Sequence, residues 1–138
     1  MTNIVVTEEE TGTRNLLVFQ ALCDGGSYCG QIDLYRSKKR IGGRTTWEIN
    51  SVYVPEARRR QGVATKLYET AAQAACDRRG HLASTYRSPG AHSHDFWAKQ
   101  LAKGRARMVR RRDSPQPAYI LTSCPVGSLA RPARRRRR

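Results

Sequence analysis

The stretch Val52-Tyr53-Val54-Pro55-Glu56-Ala57-Arg58-Arg59-Arg60-Gln61-Gly62-Val63-Ala64-Thr65-Lys66-Leu67 decides how this chain is read. Two valines around a tyrosine, stopped by Pro55, are the end of a strand. Gly62 then opens a helical period, in which Val63, Leu67, Ala71, Ala74 and Ala75 fall on one side at steps of three and four. A strand that turns directly into a helix leaves the first helical amides without internal partners, at the positive end of the helix dipole. Such an end attracts a phosphate or pyrophosphate. Gly62, with no Cβ, lets that group approach the backbone, and Arg59 and Arg60 add positive charge. Taken alone, the pattern also fits a plain loop of solvated arginines.

Working outward toward the N-terminus, residues 45–54 are rich in β-branched and aromatic side chains and form one strand with the valines. Residues 28–35, residues 16–22 and the short Ile4-Val5-Val6 give three more. Asp24-Gly25-Gly26 and the basic, glycine-containing segment 36–44 supply the turns between them. Short links between consecutive strands predict an antiparallel meander. Toward the C-terminus, Arg78 and Arg79 suit the negative end of the first helix, and Gly80 its exit. Residues 81–86 predict a strand that runs parallel to the 45–54 strand, because a helix separates the two. A second helix is expected over 93–103, with Phe96, Trp97 and Leu101 on its apolar side and Gly104 at its end. Residues 117–122 predict a last strand. The expected fold is α/β, a sandwich around a mixed, mostly antiparallel sheet. Residues 1–124 form its single domain, and 125–138 a disordered basic tail.

The formal net charge is +15 over 138 residues. Six arginines, Arg131 and Arg134 to Arg138, stand at the end, so the remainder still carries +15 − 6 = +9. Basic clusters recur at 36–44, 58–60 and 105–112. Such a surface attracts polyanions, nucleic acid among them, through the clusters and the arginine tail. Apart from Glu8-Glu9-Glu10, the eleven acidic residues are scattered along the chain and mark no carboxylate-lined pocket, which argues against small polycationic partners. Cys23, Cys29, Cys76 and Cys124 lack C-x-x-C spacing and are expected to be reduced, with Cys76 in the core. His92 and His94 lack a second ligand pair, so no metal is expected. No apolar run reaches the length of a membrane span, and the acidic N-terminal stretch does not read as a signal peptide. A cytoplasmic location is therefore expected. A homodimer is compatible with the sequence, which does not decide the assembly.

Arg59-Arg60-Gln61-Gly62-Val63-Ala64 resembles the R/Q-x-x-G-x-G/A signature of the GNAT superfamily of acetyl-CoA-dependent N-acetyltransferases. Val52-Tyr53-Val54-Pro55 is similar to that family's fourth strand. Asp95-Phe96-Trp97-Ala98-Lys99-Gln100-Leu101-Ala102-Lys103-Gly104 is similar to its later F-[YW]-x6-G helix. The resemblance covers about residues 45 to 107 and implies a GNAT-like three-layer sandwich, with acetyl-CoA as cosubstrate. It implies that Arg59, Arg60, Gln61, Gly62, Val63, Ala64 and Thr65 bind the pyrophosphate, and that Val52, Tyr53 and Val54 pair with the pantetheine arm. Glu48 matches the position of a catalytic glutamate in histone-modifying members. By strand alternation it should share a side with Val52 and Val54.

Two departures stand out. Trp97 occupies the place of a tyrosine that protonates the leaving thiolate, and an indole cannot serve as that acid. Tyr86, Tyr53 or solvent is left for the task, and Trp97 itself reads as core. Only about nine residues separate the first two strands, where the family carries two helices. The helical wall of the acceptor site should therefore be short. The activity implied is direct acetyl transfer to a primary amine in a ternary complex, on an unspecified acceptor, with a macromolecule such as nucleic acid or protein among the candidates. The competing reading is a polyanion-binding module on an acyltransferase-like fold.

Overall fold

The computed structural model describes residues 3–84, 91–110 and 117–125. The predicted arginine tail and Tyr86 lie outside them. Seven strands form one sheet: β1 (Val5–Glu9), β2 (Leu16–Cys23), β3 (Ser27–Arg36), β4 (Thr46–Tyr53), β5 (His81–Ala83), β6 (Ala106–Val109) and β7 (Ala118–Leu121). Their spatial order is β1-β2-β3-β4-β5-β7-β6. All pairs are antiparallel except β4 with β5, which helix α1 (Val63–Asp77) connects. Helix α2 (Ala91–Ala102) follows β5. The mixed, mostly antiparallel α/β sheet expected from the sequence is thus present.

β6 was not anticipated from the sequence. Its residues, Ala106-Arg107-Met108-Val109, sit in an arginine-rich segment that reads as a charged loop. It is an edge strand, where charge is tolerated because one side of the ladder faces solvent.

The strand ladders sort the side chains into two faces. Leu17, Phe19 and Ala21 of β2 lie opposite Leu34, Ile32 and Gly30 of β3 and point toward α1. Gly30 is required there: a Cβ would stand 3.1 Å from Val63 Cγ1, 3.3 Å from Leu67 Cδ1 and 2.9 Å from the Tyr53 carbonyl oxygen. The missing side chain lets the first turns of α1 rest on the sheet. α1 buries Val63, Leu67, Tyr68, Ala71, Ala72, Ala74 and Ala75, the apolar stripe expected from the period plus its neighbours. α2 packs beside it on the same face. Tyr68 and Phe96 stack at 4.2 Å between ring centroids, and Trp97, only 2% exposed, stacks on Tyr119 of β7 at 5.9 Å. Trp97 is core, as its size suggested.

The opposite face is covered differently. A one-turn segment at Ile41–Gly43 folds over its β5–β7 side, where Ile41 packs with Ala83, Ala118 and Ile120. Thr46 and His81 pin that segment: the Ile41 amide donates to Thr46 Oγ1 at 3.0 Å, and His81 Nε2 lies 2.8 Å from the Ile41 carbonyl oxygen. Over β1–β4 no helix lies on this face among the described residues. Residues 10–15 alone join β1 to β2, so the wall is shorter than the sequence suggested.

The cysteines correct the sequence reading. Cys23 and Cys29 are joined across the β2–β3 hairpin, and Cys76 near the end of α1 is joined to Cys124 beyond β7. Hairpin pairing brings the first two Cα atoms to 5.8 Å, and the return of β7 beside β5 brings the second two to 6.2 Å. Both distances lie in the range a disulfide bridges. Linear spacing could not reveal either approach.

Candidate active site

β4 pairs with β3 along its whole length to Tyr53, but its pairing with β5 stops at Glu48 opposite Ala83. Beyond that point the β5-facing edge of residues 49–53 has no strand partner among the described residues. The two parallel strands therefore form a fork, and Glu48 stands at its apex. A backbone edge of this kind offers N–H and C=O groups to an extended ligand.

The turn after β4 brings a helix start beside the open edge. Residues Glu56–Arg58 make one helical turn, Arg60 takes a left-handed φ of 66° and Gly62 one of 86° before α1 begins. No side chain caps the first amides of α1. A Cβ on Gly62 would meet nothing within 4 Å, so glycine is needed there for its backbone conformation and not for internal space. Arg60, a residue with a side chain held at positive φ, stores strain typical of functional loops. Arg60, Gln61, Gly62 and Thr65 are exposed, Ala64 is half-buried and Val63 is buried against the sheet. A surface cleft of about 920 Å³ runs along α1 beside α2, and Arg60, Ala64 and Thr65 border its end nearest this cradle. Arg59 is used differently from expectation. Its Nε donates to the Val54 carbonyl oxygen at 3.0 Å, which ties the turn to the strand end.

The register also corrects the placement of Glu48. Asp33 lies opposite Ser51 and Leu34 opposite Ile49, which leaves Asn50 as an extra residue, a β-bulge. A bulge reverses the alternation beyond it. Val52 and Val54 face α1, whereas Glu48, opposite Tyr35, lies on the opposite face with Ser51 and Tyr53. Glu48 is buried, at 2% exposure.

The same ladders assemble what the linear sequence scatters. Glu9 opposite Val18, Asp33 opposite Val18, and Glu48 all point to the face opposite α1. None of the strand residues of β1–β5 on that face is Lys or Arg. These three carboxylates therefore share one face of the sheet, though they lie on three different strands. The Asp33 carboxylate is fixed at both oxygens: Gln31 Nε2 donates to Oδ1 and Ser51 Oγ to Oδ2, each at 3.0 Å. Tyr28 and the exposed Tyr53 flank it. Desolvation, followed by the charges of Tyr53 and Asp33, raises the Tyr28 hydroxyl above its ordinary range. A second bulge, at Cys29, turns Tyr28 onto this face. Sequence reasoning missed Asp33, Gln31, Ser51 and Tyr28. The signals that would have found them are the two bulges, which a single sequence does not display.

A mixed sheet forked between its parallel strands, with an uncapped helix start beside the fork, defines an acyl-CoA-dependent acyltransferase fold. Residues 4–102 match the acetyltransferase (GNAT) family, and the chain belongs to it. No curated protein sequence matches significantly. Among solved structures, a Klebsiella pneumoniae protein provisionally assigned as an acyl-CoA N-acyltransferase superposes with a TM-score of 0.58 at 13% identity, over 85% of this chain and 94% of that one. An IAA acetyltransferase from Bacillus cereus gives 0.56 at 19%, over 77% and 78%. A Bacillus anthracis protein, provisionally a streptothricin acetyltransferase, is in complex with acetyl coenzyme A and gives 0.53 at 17%, over 79% and 61%. At these identities the likeness is one of fold.

Proposed function

We propose that this protein transfers an acetyl group from acetyl-CoA to a primary amine by direct attack in a ternary complex. The observation that carries this reading is the fork after Glu48 beside the uncapped start of α1. The loop from Arg60 to Thr65 fits the pyrophosphate, since its amides are uncapped and Gly62 opens onto free space. The unpaired edge at Val52, Tyr53 and Val54 fits the pantetheine arm and supplies an N–H to the thioester carbonyl oxygen, where negative charge develops. Arg59 holds this geometry by tying Val54 to the loop.

The acceptor enters over the bare face. Glu48, at the apex of the fork, receives the proton of the attacking amine, relayed by water because the side chain is buried. Tyr53, exposed on that same face, is the hydroxyl we assign the role Trp97 cannot fill. The β1–β4 strand positions on that face carry Glu9, Asp33 and Glu48 and no Lys or Arg, which favours a cationic amine over one carried on nucleic acid. Arg44 and Arg107 stand near His81 at the β5 side of the face. Asp33, its oxygens already oriented, binds a second cationic centre of that acceptor.

Calorimetric titration with acetyl-CoA tests the first part. Micromolar binding to the wild type, lost in Gly62→Glu, supports the transferase. A wild type that does not bind sinks it and leaves the polyanion-binding module as the better reading. Release of CoA thiol with an α,ω-diamine, a monoamine of equal length and a single-stranded oligonucleotide tests the second part. The diamine should be the best substrate, and Asp33→Asn should remove its advantage over the monoamine.

A further inference from the structure

Three arginines from distant parts of the chain meet at a second cavity, on the helix-bearing face at the far end of α1. Its volume is about 440 Å³, and Arg14, Arg36, Arg78, Glu8, Leu17 and Trp47 line it. α1 spans Val63–Asp77, so this end lies about 22 Å from the uncapped start. The convergence has local causes. The Arg36 amide donates to the Asn15 carbonyl oxygen at 2.9 Å, which folds the β1–β2 connection, and Arg14 with it, against the end of β3. Arg36 is also the ladder neighbour of Trp47. Arg78 Nη1 donates to the Ala74 carbonyl oxygen at 3.0 Å, and its Nη2 lies 3.5 Å from Glu8.

The site is electrostatically unbalanced. Glu8 is the one acid lining the cavity against three arginines. Among the described residues, the side chains of Arg14 and Arg36 make neither an ion pair nor a hydrogen bond. Trp47 is 3% exposed, and its indole N–H is buried with no acceptor. The negative end of the α1 dipole opposes an anion only weakly, and charge-assisted hydrogen bonds from the arginines outweigh it. Guanidinium groups arriving from three directions match a multiply charged tetrahedral anion better than a planar monoanionic carboxylate.

We propose that this cavity binds the phosphoryl group of a small ligand at a site separate from the α1 cradle. Its size suits a compact phosphate ester, with the exposed Arg14 and Arg36 at its rim and the buried Trp47 beneath it.

Intrinsic fluorescence tests this, because the chain contains two tryptophans and Trp97→Phe leaves Trp47 as the only reporter. Pyrophosphate, AMP and a short single-stranded oligonucleotide are titrated with the cradle held saturated by acetyl-CoA, and calorimetry on the wild type runs in parallel. Pyrophosphate and AMP should change Trp47 emission. Arg36→Ala should weaken them at least tenfold, and Glu8→Gln should tighten them several-fold. Tighter oligonucleotide binding with the same Arg36 dependence upholds the phosphoryl site and assigns its source to a nucleic-acid backbone. Failure of all three probes to bind overturns the proposal. So does binding that ignores Arg36→Ala, or binding that disappears when acetyl-CoA is present.

Discussion

Replacing Cys76 and Cys124 together by alanine removes a cross-link between residues 48 apart in sequence. In the chain-entropy account, a loop of that length stabilises the fold by about 4 kcal/mol, by restricting the unfolded chain. The shorter Cys23–Cys29 loop, with a separation of 6, gives about 2 kcal/mol on the same scale. Against the roughly 5–15 kcal/mol typical of a whole domain, the long loop is a large share. With a urea slope of about 2 kcal/mol/M, the double alanine variant should unfold about 2 M earlier than the wild type. Reductant should lower the wild-type midpoint further still, since it opens both loops. The assay is urea unfolding followed by circular dichroism, with thiols counted in the unfolded protein before reduction. Zero thiols and the two midpoint shifts are expected. Four reactive thiols, with midpoints indifferent to reductant, would refute the pairing and restore the reduced state expected of a cytoplasmic chain.

Gly30→Ala places a methyl group between β3 and the start of α1, and overpacking of this kind costs about 1–3 kcal/mol, readable as a lower urea midpoint. Because the displaced turn carries the cradle, acetyl-CoA affinity should fall with it; unchanged affinity would mean that α1 does not rest on Gly30. His81 titrates below its ordinary value of 6.5, because burial disfavours the charged ring and Arg44 and Arg107 repel it, against the opposing bond to Ile41. Below pH 6.5 the unfolded chain takes a proton that the folded chain refuses, so stability falls with pH until the folded-state pKa is passed. Urea midpoints across pH 5 to 8 should show this slope, and His81→Gln should flatten it. Glu48→Gln should reduce turnover about 10²–10⁴-fold while leaving acetyl-CoA binding intact, measured by CoA release and calorimetry. Turnover that survives the change would assign Glu48 to the fold.

The elements nearest the loop 55–62 were legible because three independent signals coincide there: a β-branched run, a stopping proline and a glycine that opens a 3.6-residue period. The stripe Val63, Leu67, Ala71, Ala74 and Ala75 is buried as its spacing requires. Alternation failed at Glu48 for a specific reason. One unpaired residue, Asn50, reverses the faces of the strand, and a bulge depends on the partner strand's register and not on local propensity. β6 escaped notice because it is a short edge strand holding the exposed Arg107 between Arg105 and Arg110, so the segment's composition is that of a loop. The disulfides and the acidic face depend on distances between elements far apart in sequence. They become visible only once the ladders are known.

The bare face over β1–β4 separates two demands that most enzymes must satisfy with the same side chains. The apolar cluster of these strands points toward α1 and α2, while Tyr28, Gln31, Asp33, Ser51 and Tyr53 point away and lie outside both buried apolar clusters. Changes at Tyr28, Gln31, Asp33, Ser51 or Tyr53 should therefore alter acceptor choice at little cost in folding. If the proposed acceptor site is correct, such a chain can exchange one acceptor for another by a few surface substitutions, without repacking its interior.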